Sequence, residues 1–206
     1  MNAEWTAILR EQPALDEIPA ALRDTGQLRS FAAGQTLYRR GERPKAMLCL
    51  LSGEIRLIRR TPRGAEIVLQ RVRGGFVAEA SMESKAYHCD VVAVADGRLL
   101  AFPITAFQAA LEHDAAFRSA WIRRLAQDVR RLRAQNERLS LNSAAERILH
   151  FIEAEGVDGR VSLTQSRKAW AAELGLTHEV LYRTLRRLRQ EGILTIDGDE
   201  IALARL

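Results

Sequence analysis

The sequence predicts an α+β chain built of three successive parts, and three observations predict it. Residues 28–103 run as short apolar or alternating segments separated by glycines, as an antiparallel barrel or jelly roll requires. Residues 114–141 contain neither Gly nor Pro and repeat leucine at heptad spacing, as a long helix requires. Residues 142–206 then give two short helical patterns followed by two apolar runs around a D-G turn.

Length and composition fit a globular protein. The 206 residues are 47% hydrophobic, enough to bury real cores, and no apolar run approaches the roughly 20 residues a membrane helix needs. The opening MNAEWTAILREQ lacks the basic-then-apolar order of a signal peptide, so the expected location is the cytoplasm with no membrane partner. The two cysteines, Cys49 and Cys89, form no CxxC pattern, which argues against a disulfide framework, a Cys-ligated zinc and an iron–sulfur cluster. No GxSxG, P-loop, HExxH or GxGxxG pattern occurs, and His88, His113, His150 and His178 form no constellation with acids or cysteines. An enzyme is therefore not expected. The net charge of +5 favours an anionic partner, and its placement matters more. Arg118, Arg123, Arg124, Arg130, Arg131, Arg133 and Arg138 crowd the long helix, as a solvated face or as a phosphate-binding surface; Arg183, Arg186, Arg187 and Arg189 crowd a later one.

In chain order, residues 3–23 read as one helix. LRSF, QTLYRR, AMLCLLSG, EIRLIRR, AEIVLQRV, RGGF, HCDVVAVADG and RLLAF then read as strands broken by Gly-containing turns. In the helix 114–141, Leu125, Leu132 and Leu139 recur at heptad spacing, with Ile122, Val129 and Asn136 at the complementary positions. That is the seam of a two-stranded coiled coil, with one Asn fixing register; the alternative is a lone helix laying the same stripe on the β domain. Ser143 and Glu146 make a capping box that starts another helix through Ile152. The expected division is 1–113, 114–141 and 142–206.

In SRKAWAAELGLTHEVLYRTLRRLRQEG, Trp170, Leu174, Leu176, Leu181, Leu185 and Leu188 fall where two short helices share a core, and Gly175 stands at the turn. Thr177 caps the second helix, leaving His178, Glu179, Tyr182 and Arg183 on its exposed face. Arg can donate two parallel bonds to guanine, Glu can accept from cytosine, and His and Tyr can donate to bases or phosphates. ILTIDGDEIALARL is a hairpin signal, and a hairpin behind a helix-turn-helix is a winged helix. Residues 141–206 carry nine Lys/Arg against ten Asp/Glu, so positive charge must be focused on the reading helix. Double-stranded DNA is the expected partner.

The order of parts resembles the cyclic-AMP receptor protein and fumarate-nitrate regulator superfamily, Crp/Fnr, over essentially the whole chain. FAAGQTLYRRGERPKAMLCLLSGEIRL resembles the start of its cyclic-nucleotide-binding β-roll, and SRKAWAAELGLTHEVLYRTLRRL its helix-turn-helix. The resemblance implies a homodimeric transcription regulator joined along the long helix and bound to a palindromic site. It implies that Glu179 and Arg183 contact bases and Arg167 a phosphate, with His178 where the family often has Arg. Whether RNA polymerase is a further partner stays open.

The sensor pocket that the resemblance implies departs from the cyclic-AMP pattern. Glu79, preceded by Ala78, keeps the acid, but Tyr87 and His88 stand where an Arg-Ser or Arg-Thr pair would hold the phosphate, and Leu132 falls where a hydroxyl would meet adenine. Losing the Arg removes a charge-assisted bond worth about 1.5–3 kcal/mol, so cyclic AMP is not the expected effector. What remains is Glu79, Ser81, Tyr87, His88 and Cys89. Two readings stay open: a metal, haem or redox sensor using His88 or Cys89, and side chains packed in the roll with His88 satisfied by polar contacts. As strand neighbours these two would point to opposite faces and could not easily share an ion. A ligand-binding signalling protein without DNA binding is the remaining functional alternative; it would have no use for Glu179 and Arg183.

Overall fold

The computed structural model of the chain describes residues 3–12, 15–64, 66–77, 79–163 and 165–204. The chain divides into two compact units, residues 1–122 and 123–206.

In the first unit the expected single N-terminal helix is two: α1 (Ala3–Glu11) and α2 (Ala20–Arg23). Pro19 caps α2 in an extended conformation; a proline has no N–H to give a preceding helical turn and pushes the residue before it out of the helical region. Six strands follow: β1 (Gln27–Phe31), β2 (Thr36–Tyr38), β3 (Ala46–Arg60), β4 (Glu66–Val72), β5 (Gly75–Val77) and β6 (Asp90–Pro103). They form one antiparallel sheet in the order β1-β6-β3-β4, with β2 also on β6 and β5 also on β3.

Two pairs of expected strands are in fact two long ones. AMLCLLSG and EIRLIRR are both β3, which passes straight through Gly53; the last cluster of strands is the single β6, which passes through Gly97. The two glycines face each other where the β3–β6 register shifts. Gly53 has φ +90, and a Cβ there would lie 2.6 Å from the Asp96 carbonyl oxygen, while one on Gly97 would lie 2.2 Å from that of Ser52. Here glycine marks a bulge and a close backbone approach, not a turn.

The sheet's core includes Phe31, Tyr38, Leu50, Ile55, Val77, Tyr87, Cys89, Val91 and Leu99, all buried. An aromatic cluster lies beside α3 (Ile104–His113): Phe107 makes edge contacts with Phe76, Phe117 and Trp121. Phe117 and Trp121 belong to α4 (Ala115–Ser140), whose ends lie one residue inside the predicted 114–141.

The second unit holds the rest of α4, then α5 (Ala144–Glu155), β7 (Arg160–Ser162), α6 (Arg167–Glu173), α7 (His178–Gln190), β8 (Leu194–Asp197) and β9 (Glu200–Leu203). The predicted capping box opens α5, with Ser143 and Glu146 exchanging both bonds. The β8–β9 hairpin pairs antiparallel, and β7 closes a three-stranded sheet in the order β7-β9-β8. Ile148, Ile152, Trp170, Leu174, Leu181, Leu185, Leu188 and Ile201 meet in one core, with Phe151 edge-on to Trp170 at 5.4 Å. This is a winged helix-turn-helix.

Candidate DNA interface and sensor site

Helix α7, expected to be the reading helix, sorts its side chains cleanly. Leu181, Leu185 and Leu188 are buried, and Thr184 turns back to donate to the Val180 carbonyl at 2.8 Å. His178, Glu179, Tyr182 and Arg183 are exposed on the opposite side, followed by exposed Arg186, Arg187 and Arg189. The Thr177 hydroxyl accepts from the Val180 N–H at 3.3 Å, fixing where the helix begins. Sequence reasoning did not single out one contact: the rings of His178 and Tyr182 lie 4.4 Å apart, tilted by 54°. Their i,i+4 spacing on a helix is the signal that could have found it.

Gly175 turns the chain between α6 and α7 at φ +65, a conformation that favours glycine. Ser166 caps α6 through the Ala169 N–H. Arg167, implied as a phosphate contact, donates from Nη2 to the Gly198 carbonyl of the wing turn at 2.6 Å, its guanidinium near the Trp170 ring. It ties the wing to the start of α6. The Arg147 guanidinium, which no sequence pattern marks, spans four carbonyls in this unit.

Along α4, Ile122 (59% exposed), Val129 (45%), Leu132 (54%) and Leu139 (45%) form a stripe of open apolar side chains, with Asn136 exposed and Leu125 half-buried in the same rows. Leu132, also named as an effector-pocket residue, belongs to this stripe.

The residues expected at a sensor pocket in the roll are gathered, but inward. Glu79 and Ser81 lie on a single 3-10 turn, and buried Ser81 meets His88 Nδ1 at 2.8 Å. Tyr87 stacks on Tyr38 with ring centroids 3.8 Å apart, and its hydroxyl reaches the Ala46 carbonyl at 3.4 Å. The Cys89 thiol and the Tyr38 hydroxyl share a hydrogen bond. Burial pushes the Cys89 thiol up, with Arg59 opposing; burial, then Cys89 and Tyr87, pushes the Tyr38 hydroxyl up. Tyr87 and Cys89 are thus core residues, while Glu79 and His88 are half-buried. His88 and Cys89 precede β6, which begins at Asp90, so strand alternation is not what separates them; their different partners are. Ala78 lies outside the described residues. Among the described residues no group of three or more His, Cys, Asp or Glu could hold a metal ion, and no helix is long and apolar enough to cross a membrane.

Comparison with known proteins gives the same two parts in the same order. The cyclic nucleotide-binding domain family matches residues 28–114, and the Crp-like helix-turn-helix domain family matches residues 144–206. Transcriptional regulator LdrP of Thermus thermophilus is 27% identical over 175 residues, covering 81% of this chain and 87% of that protein. The structure of a CRP-family transcriptional regulator from Thermus thermophilus is 25% identical, with a TM-score of 0.54 over 86% of this chain and 92% of that one. The structure of FixK2 from Bradyrhizobium japonicum, 22% identical, shares the fold with a TM-score of 0.63 over 87% of this chain and 93% of that one.

Proposed function

Because this chain belongs to the Crp/Fnr family of transcription regulators and carries its helix-turn-helix DNA-binding domain, we propose that it works in the cytoplasm as a homodimer on a palindromic site, without cyclic AMP. It is a regulator, not an enzyme. In functional terms the chain divides into a sensor roll (1–113), a dimer helix (114–141) and a reading head (142–206).

The observation that carries the DNA reading is α7: a capped, well-anchored helix whose first turn and a half presents His178, Glu179, Tyr182 and Arg183 to solvent. On this reading Arg183 would take guanine O6 and N7, Glu179 would accept from cytosine N4, and His178 and Tyr182 would offer donors and ring faces to the next bases or phosphates. The open stripe on α4 supports the homodimer. Paired in parallel, two copies would cover Val129, Leu132 and Leu139 and set the two Asn136 side chains against each other. The dimer spaces two reading heads, and a two-fold protein reads a two-fold site.

The Tyr38–Tyr87 stack supports independence from cyclic AMP. The residue at the phosphate-clamping position is packed in the core, and a phenol cannot supply the positive charge an Arg would bring. The polar contacts of His88 and Cys89 favour packed side chains over metal or haem ligands.

The test is selection of a duplex from a random pool by the purified protein, followed by sedimentation and by titration with cyclic AMP. The expected result is a palindromic consensus bound by a dimer, with unchanged affinity at millimolar cyclic AMP. A consensus without two-fold symmetry, or affinity that rises steeply with cyclic AMP, overturns the corresponding part.

A further inference from the structure

Arg147, near the start of α5, gathers carbonyls from two helix ends. Its Nε donates to Leu141 O at 3.0 Å and its Nη2 to Leu139 O at 3.4 Å, both at the C-terminal end of α4. Its Nη1 donates to Leu174 O and Gly175 O, each at 3.2 Å, at the end of α6 and in the turn that leads to the reading helix. The last carbonyls of a helix lack intrahelical partners and carry the negative end of its dipole. Two such ends facing each other repel unless a cation lies between them, and the guanidinium has a fixed fork of donors able to serve both.

Two further observations bear on the same junction. A Cβ at Gly175 would lie 3.0 Å from Arg147 Nη1 and 3.0 Å from Leu139 Cδ2, so the turn, the guanidinium and a stripe leucine of α4 are in close packing. Farther along, the wholly buried Arg138 of α4 bonds Glu155 Oε1 of α5 at 3.2 Å and lies 4.7 Å from the Phe151 ring; Arg131 reaches the other Glu155 oxygen at 3.7 Å. The end of α4 is therefore held to the head at both ends of α5.

We propose that Arg147 is the positioning residue that fixes the reading head to the dimer helix, and that it makes this regulator strict about the spacing between half-sites. The inference rests on the homodimer reading above. In a dimer joined along α4, any play at this clasp moves the two reading helices relative to each other. Adding one base pair between half-sites shifts one by about 3.4 Å and rotates it by about 35° about the DNA axis, which a locked head cannot follow. The Arg147 guanidinium is taken up by backbone carbonyls, so it acts on geometry and not on sequence.

The experiment uses the duplex selected by the full-length protein, together with versions whose central spacer is one base pair longer or shorter. Wild type is expected to lose about 100-fold in affinity on either altered spacer. Arg147→Ala is expected to bind the selected spacing about tenfold more weakly and to discriminate among the three by less than about tenfold. Arg147→Lys keeps the charge but cannot span four carbonyls, and should fall between; it decides the matter if the alanine variant does not fold. Arg183→Ala is the control, expected to weaken all three duplexes equally and stay strict. Folded, dimeric Arg147 variants that keep wild-type discrimination overturn the proposal. A wild-type chain that sediments as a monomer overturns the homodimer reading instead.

Discussion

The reading head and the roll use polar side chains in opposite ways. On α7 the groups able to recognise a partner stand exposed, and the only hydroxyl on the buried side, Thr184, is turned onto its own helix. In the roll, four of the residues expected at a sensor pocket are instead engaged within the fold: Tyr87 with Tyr38, Cys89 with Tyr38, and Ser81 with His88. A buried polar group already bonded gains little from a ligand, since the new bond must replace an old one. The head presents its polar groups to solvent, whereas the roll pairs several of its own with one another.

The largest test of that contrast is Tyr87→Ala. If the stack is core, removing the ring costs about 3–5 kcal/mol of stability in the first unit, as large-to-small aromatic changes do. DNA affinity per folded protein should be unchanged. Calorimetric melting against a gel shift separates the two quantities. A variant as stable as wild type would mean that Tyr87 lines an open pocket after all.

Why that stack was not legible in the sequence, while much else was, follows from the kind of signal each leaves. The Gly- and Pro-free run that makes α4, the Ser143–Glu146 box and the Thr177 cap are local patterns, and the elements they predict fall where expected. The Tyr38–Tyr87 stack and the Ser81–His88 bond depend on β-sheet register and on a loop, which no local period encodes. Arg147 is harder still, since its partners are backbone carbonyls that carry no residue identity. Gly53 and Gly97 misled for a related reason: a glycine that permits a bulge between β3 and β6 reads in sequence like one that makes a turn.

The next effect belongs to the head alone. Arg183→Ala should cost about 1–3 kcal/mol in binding to the selected duplex and relax the preference at one base pair of each half-site. Melting temperature should hardly move, because the side chain is exposed. That is the reverse of Tyr87→Ala, which should change stability and spare binding. Binding equal to wild type would remove Arg183 from the interface.

The smallest effect is one of pH, and it has opposite signs in the two units. Glu146 accepts from both the hydroxyl and the N–H of Ser143, at 2.8 and 2.9 Å, which holds its carboxyl below the usual value. A depressed folded pKa contributes stability above the unfolded carboxylate pKa, and that contribution is lost as pH falls through the folded one. Cys89 is the other case: burial raises its thiol, so its contribution is present below the unfolded thiol pKa and is lost as pH rises toward the folded one. Acid should therefore weaken the head, and alkali should weaken the roll. Melting curves from pH 3 to 10, expected to be ordinary in the middle, should show the acid loss flattened in Glu146→Gln and the alkaline loss flattened in Cys89→Ala. The exposed capping box can yield only a small slope. Because the thiol is sealed in the core, slow alkylation of Cys89 in the native protein up to pH 9 is the companion measurement, and fast alkylation would show that the roll opens far more readily than its internal pairing implies.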